Sequence, residues 1–210
     1  RLTNAAHRAM MNAMELDEAV ALTSRRGETL QARRLRPEDR QALSEFGASL
    51  SAATTGVFLP HLYDDATLEP LLRRSQAGDD LTLGLFRGSR MVAYFFLWHF
   101  DQPFPLLGIG LHDEIQGAGL GRQMLNLLVA EAARHGSAGV DLTTLPTNDR
   151  AFRLYLSVGF RHIGFVDNPR AGGGTTVERV LRYTIDPAAT APRRLANGCP
   201  VRGLADTGVR

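Results

Sequence analysis

Apolar and polar positions alternate along this chain in blocks that mark out its elements. Thr29 to Leu35 reads as a short strand, and Pro37 followed by Glu38 and Asp39 reads as a first helical turn, predicting a helix to about Leu50. Asp64 or Asp65 caps a second helix carrying Leu68, Leu71 and Leu72, with Gly78 as its stop. The apolar runs Leu81 to Phe86 and Met91 to Phe100 flank Arg87-Gly88-Ser89-Arg90, a hairpin pattern, and Leu106 to Leu111 forms a third strand. Leu120, Met124, Leu127, Leu128 and Ala132 recur at helical spacing up to Gly136. Val140 to Thr144 is again a strand. Pro146 and Asn148 introduce a helix bearing Ala151, Phe152, Leu154 and Tyr155 that stops before Gly159. Phe160 to Val166 and Thr176 to Ile185 close the pattern, joined through Pro169 and Gly172-Gly173-Gly174. The order is strand, two helices, three strands, helix, strand, helix, two strands. One mixed sheet with helices packed on it is the economical arrangement, an α/β (α+β) class.

With 210 residues, 44% hydrophobic and 22% charged, the chain suits one domain with a real core and some extra tail. The working domain is expected over 29–186. Residues 1–28 form an appendage in which Met10, Met11, Met14 and Leu16 could line a helix, and 187–210, mixing Pro, Ala, Gly and Arg, is expected to be a mobile tail. The chain opens on Arg1 and not on Met, which points to a fragment or to processing. Its apolar runs fall far short of the roughly 18 residues of a membrane span, so a cytoplasmic protein off the membrane is expected. The single Cys199 offers neither an internal disulfide nor a cysteine metal cage.

All 24 basic residues are arginine, against 22 acidic ones, for a net charge of +2. Arginine forks onto phosphates, although an arginine-only composition equally reflects base composition of the gene. The excess of positive charge sits in the last stretch, which argues against a folded nucleic-acid-binding surface.

The most informative run is Gln116-Gly117-Ala118-Gly119-Leu120-Gly121-Arg122, between a strand and the long helix. A helix N-terminus leaves its first amides unpaired and partly positive, and small residues before it let phosphate oxygens approach the backbone. A dinucleotide fingerprint has a different position and spacing, and a nucleotide-triphosphate loop needs a lysine that this chain lacks. A tight connection is the alternative for the glycines alone. On the next helix, Asn148, Ala151, Leu154-Tyr155 and Gly159-Phe160 form N-x-x-A-x-x-L-Y-x-x-x-G-F.

Together with Q-x-x-G-x-G, this pattern resembles the GNAT superfamily of N-acetyltransferases, over about 29–186. The resemblance implies a mostly antiparallel central sheet with one splayed parallel pair, between the strands ending near Leu111 and Thr144. It implies acetyl-CoA as acyl donor and no metal, with the diphosphate on the amides of Gly117, Ala118, Gly119, Leu120, Gly121 and Arg122. The pantetheine arm would pair with the backbone of Ile109, Gly110 and Leu111, where an N–H can polarise the thioester carbonyl. Gln116 is the motif's own residue, or a cap at a turn. Asn148 matches a family asparagine that contacts the cofactor, and Arg122 is a phosphate contact or an exposed first-turn residue.

Tyr155 falls where the family places the general acid for the departing thiolate; a phenol of pKa near ~10 can protonate a thiolate whose thiol lies near ~8.5. Packing is its alternative role. Relatives often carry a glutamate on the splayed strands to take the amine's proton, whereas here Leu106, Gly108 and Thr143 stand near those places. His99, Asp101 and His112 are nearby in sequence, and water-relayed proton loss without a single base is expected. The acceptor side is expected from 43–61 and 168–175, with Phe58, His61, Tyr63 and Trp98 lining it. The resemblance thus implies transfer of acetyl to an amine of unknown identity by direct attack in a ternary complex, in a monomer or homodimer. A catalytically silent acyl-CoA sensor is the second reading, and an acyltransferase acting on charged tRNA or ribosomal protein is the third.

Overall fold

The computed structural model describes residues 19–169 and 173–203. In chain order the strands are β1 (Val20–Thr23), β2 (Thr29–Arg34), β3 (Leu81–Arg87), β4 (Arg90–Trp98), β5 (Leu106–Leu111), β6 (Gly139–Thr144), β7 (Arg161–Pro169), β8 (Thr175–Thr184) and β9 (Arg202–Gly203). The helices are α1 (Arg40–Ser49), α2 (Ala52–Val57), α3 (Asp65–Ala77), α4 (Leu120–Arg134) and α5 (Asp149–Val158). Among the described residues the nine strands join in one sheet, ordered β1-β2-β3-β4-β5-β6-β8-β7-β9.

Strand β4 shows why the sheet sits between helices. Its side chains alternate, so Ala93, Phe95 and Leu97 bury against the core beneath α4 and α5, while Tyr94 and Phe96 bury against Phe46 of α1 and Leu68 and Leu72 of α3. A strand apolar on both faces requires cover on both. The caps follow local chemistry: Asp64 accepts from the Thr67 amide at the start of α3, and Gly78, at φ 87°, ends it.

Every pairing is antiparallel except β5 with β6, and these two parallel strands pair at Leu106 and Asp141 alone. Beyond that point they separate, giving the mixed sheet with a splayed parallel pair. Cross-strand neighbours Asp141 and Arg182 form a buried two-point ion pair at 2.6 and 2.7 Å on the far side of β6.

Three elements differ from the sequence expectations. Val20–Thr23, assigned to the appendage, is an edge strand on β2, because alternating Val20 and Leu22 are buried on the core side. Ala52–Val57 is a separate short helix, capped by the Ser51 hydroxyl accepting from the Thr54 amide. The segment after 187 returns to the sheet: Arg202 and Gly203 pair with Phe165 and Gly164, and Leu195 buries with Val166 and Val180. The methionine-bearing helix expected at 10–16 lies outside the described residues, as do residues 204–210 of the expected tail.

Candidate active site

The turn into α4 is built from glycines because its backbone demands it: Gly117 and Gly119 have φ of 78° and 83°, in the left-handed region. Among the described residues no side chain caps the helix, whereas α2, α3 and α5 are capped by Ser51, Asp64 and Asn148, and its first turn carries no acid, whereas those of α3 and α5 carry Asp65 and Asp149. The amides of Leu120, Gly121 and Arg122 are therefore left to an external acceptor. Two guanidinium groups flank them. The Arg25 side chain lies across Gly119, such that a Cβ there would come within 3.1 Å of its Cγ and Nε, and Nη2 of Arg150 would stand 3.3 Å from a Cβ on Gly117. The Arg25 amide donates to the Ala118 carbonyl at 2.8 Å, fixing the N-terminal turn to the loop. A helix N-terminus with free amides and flanking arginines suits a phosphate or diphosphate.

Gln116 ties this loop to its surroundings. Its Nε2 donates to the Leu111 carbonyl and to the Thr54 hydroxyl, both at 3.1 Å, and its Oε1 accepts from Arg150 at 3.1 Å. Asp113 holds α2 from the same side, accepting from the hydroxyls of Ser51 and Thr54 at 2.7 and 2.8 Å; these bonds hold its carboxyl at about 2. So anchored, α2 delivers Phe58 onto β5, where the ring covers Gly110 so closely that a Cβ would collide with it. Gly108 likewise lies directly under the Phe96 ring.

Where β5 and β6 part, a cavity of about 340 Å³ opens. Phe58, Phe96, Trp98 and Leu106 line one side, and Thr143, Asn168 and Glu178 the other, with Leu195 and Asn197 contributed by the C-terminal segment. Trp98 stacks on Phe96 with ring centroids 3.8 Å apart. His61 and Tyr63 sit behind this wall in an aromatic cluster with Tyr94, where the His61 Nε2 is 3.1 Å from the Tyr94 hydroxyl.

Tyr155 is the buried residue of α5, next to Phe160. Burial pushes its phenol well above the ordinary tyrosine value, and the nearby charge of Glu178 pushes in the same direction. Glu178 lies on β8, one strand away from the splay. Its Oε2 accepts from Asn168 Nδ2 at 3.2 Å, Asn168 Nδ2 is 3.4 Å from the Thr143 hydroxyl, and Oε1 has no hydrogen-bond partner among the described residues.

The structure brings 109–111 and 116–122 together, with Gln116 bonded to the Leu111 carbonyl and a Cβ on Gly121 falling 3.9 Å from Ile109 Cδ1, whereas Tyr155 is buried in the core and is not among the cavity's lining residues; two polar side chains have other partners. Arg122 donates from both Nη atoms to Ser157, at 2.9 Å to its carbonyl and 2.7 Å to its hydroxyl, and so fastens α4 to α5. Asn148 caps α5, its Oδ1 accepting from the Ala151 amide at 3.2 Å. Of the nearby histidines, His99 lines the cavity, whereas His112 lies in a surface network with Arg90 and Glu114. Sequence reasoning missed Arg25, Arg150 and Glu178. The alternation of β8 puts Glu178 on the face of the buried Val180, but only the strand order reveals that this face borders the splay.

The profile of the Acetyltransferase (GNAT) family matches residues 48–160, more than half of the chain, and the chain belongs to that family. No curated protein sequence matches it. Among solved structures, the ribosomal-protein-S5-alanine acetyltransferase from Vibrio fischeri superposes with a TM-score of 0.67 at 12% identity, over 81% of this chain and 100% of that one. The yncA structure from Salmonella typhimurium, with its cofactor acetyl-CoA, gives 0.62 at 19% identity over 78% and 98%. The PaiA N-acetyltransferase from Thermoplasma acidophilum, in complex with coenzyme A, gives 0.61 at 20% identity over 75% and 99%. These likenesses establish the fold.

Proposed function

We infer that the protein is an acetyl-CoA-dependent N-acetyltransferase that moves acetyl to a primary amine by direct attack in a ternary complex. The observation that carries this reading is the uncapped N-terminus of α4 beside the β5/β6 splay, within a family whose solved relatives include complexes with acetyl-CoA and coenzyme A. The residues present fit that donor. The amides of 117–122 with Arg25 and Arg150 would hold its diphosphate, and the parted edge of Ile109 to Leu111 offers backbone groups to its pantetheine amides. Bound there, the donor supplies an acetyl group activated as a thioester.

The chain's own residues do the rest. The aromatic residues make one part of the cleft lining apolar, which would strengthen electrostatic interactions formed beside it. A backbone N–H of β5 would stabilise negative charge growing on the carbonyl oxygen. Tyr155 holds the proton that the departing sulfur needs. Among the described residues Cys199 lies in the C-terminal segment and is not one of the cavity's lining residues, which fits direct transfer better than a covalent acyl-enzyme.

Gly119→Asp tests the cradle. An aspartate at this N-cap position would accept the first-turn amides itself and repel a diphosphate, and calorimetry should show acetyl-CoA affinity weakened at least about thirtyfold, the loss of about 2 kcal/mol of charge-assisted bonding. Gly119→Ala, equally strained at φ 83° but uncharged, serves as control. Unchanged affinity in the aspartate variant refutes the assignment.

A further inference from the structure

The cavity at the splay carries a charge pattern that selects its occupant. Its described lining contains one carboxylate, Glu178, one imidazole, His99, and no arginine. The same lining holds Phe58, Phe96 and Trp98, the last two on β4, which β5 and β6 separate from the β8 strand of Glu178, and at about 340 Å³ the space lies near the lower end of small-molecule sites, ~300–1,000 Å³. A carboxylate set against an apolar wall favours a cation on an apolar body, and aromatic faces add to that preference. Glu178 is prepared for such a partner. Asn168 holds Oε2, while Oε1 is left without a protein donor among the described residues.

We propose that this cavity takes a small primary amine with an aromatic or aliphatic body and no carboxylate, and that Glu178 is the residue that receives its ammonium group. The inference rests on the acetyl-transfer reading for its chemistry, but amine binding alone does not require that reading. In the reaction the ammonium loses two protons. One leaves through Glu178 to solvent, freeing the lone pair that forms the new C–N bond; as the C–S bond breaks, Tyr155 protonates the sulfur and is reprotonated with the second proton from nitrogen. An amino acid would bring a carboxylate toward Glu178 and the apolar wall with no arginine in the described lining to meet it. The C-terminal segment narrows the site with Leu195 and Asn197, which favours a small amine over a long peptide.

The test uses the full chain with 2-phenylethylamine, L-phenylalanine and an alanyl peptide as probes. Saturation-transfer NMR without acetyl-CoA should detect 2-phenylethylamine on the wild type, and Glu178→Gln, a near-isosteric change checked for an unaltered melting curve, should abolish that signal. In turnover, Glu178→Gln should raise KM for 2-phenylethylamine at least tenfold while the Kd for acetyl-CoA stays the same, and Glu178→Asp should recover part of the loss. Equal amine binding by wild type and Glu178→Gln, no amine binding by the wild type, or faster acetylation of L-phenylalanine or the peptide overturns the proposal. If acetyl-CoA fails to bind while the Glu178-dependent amine signal persists, the transferase reading falls and the amine site stands.

Discussion

An acid that must protonate a thiolate has to retain its own proton at working pH and give it up only when a stronger base develops beside it. In the role proposed for it, Tyr155 would meet the first requirement through burial, which raises its phenol above the ordinary value near ~10 and keeps it protonated across the neutral range. Because the acid is active when protonated and its pKa is shifted upward, titration of Tyr155 should cause no fall in kcat below about pH 10. Tyr155→Phe removes the proton and keeps the ring packed on Phe160. It should lower kcat by about a hundredfold with little change in KM for acetyl-CoA, read in steady-state assays of thiol release. An unaltered kcat would reduce Tyr155 to the packing role.

At the level of elements, the parallel pair needs support, since β5 and β6 touch at one register position. That support comes from the opposite edge of β6, where six register pairs join it to β8 and the buried Asp141–Arg182 pair bridges the two strands. Arg182 also lies 4.4 Å over the Phe104 ring and donates to the Pro192 carbonyl at 3.3 Å, so the same pair holds the returning C-terminal segment. Asp141→Asn leaves a buried guanidinium without its counter-charge and should destabilise the fold by about 3–5 kcal/mol in urea titration, whereas replacing both partners with apolar residues of similar volume should cost much less.

Legibility followed element length. Helix α4 was readable from its apolar spacing between Gly119 and Gly136, and α5 from its Asn148 cap and its Gly159 stop. The short α2, β1 and β9 carry too few periods to signal themselves, and they depend on tertiary partners such as Asp113 and β7. For the same reason the glycine cradle was legible as a local motif, while Glu178 was not: its role depends on which strand lies beside β6.

Across the whole molecule, both ends of the described chain converge on the site. The C-terminal segment walls the cavity with Leu195 and Asn197, while the N-terminal edge strand docks onto α4, where Gln123 donates to the Thr23 carbonyl at 2.8 Å and accepts from its amide at 3.2 Å. This docking carries Arg25 to Gly119, on the outer side of the free amides, while the Arg122 side chain is occupied by Ser157. If donor binding relied on the α4 amides alone, Arg25 would be dispensable. With its guanidinium beside a doubly charged diphosphate, Arg25→Ala should raise the KM for acetyl-CoA about three- to tenfold at constant kcat, and the effect should shrink with added salt. Arg122→Ala makes the converse case: it should loosen α4 from α5 and lower the melting temperature more than it alters that KM. The reverse order of the two effects would assign the phosphate contact to Arg122 and leave Arg25 a surface residue.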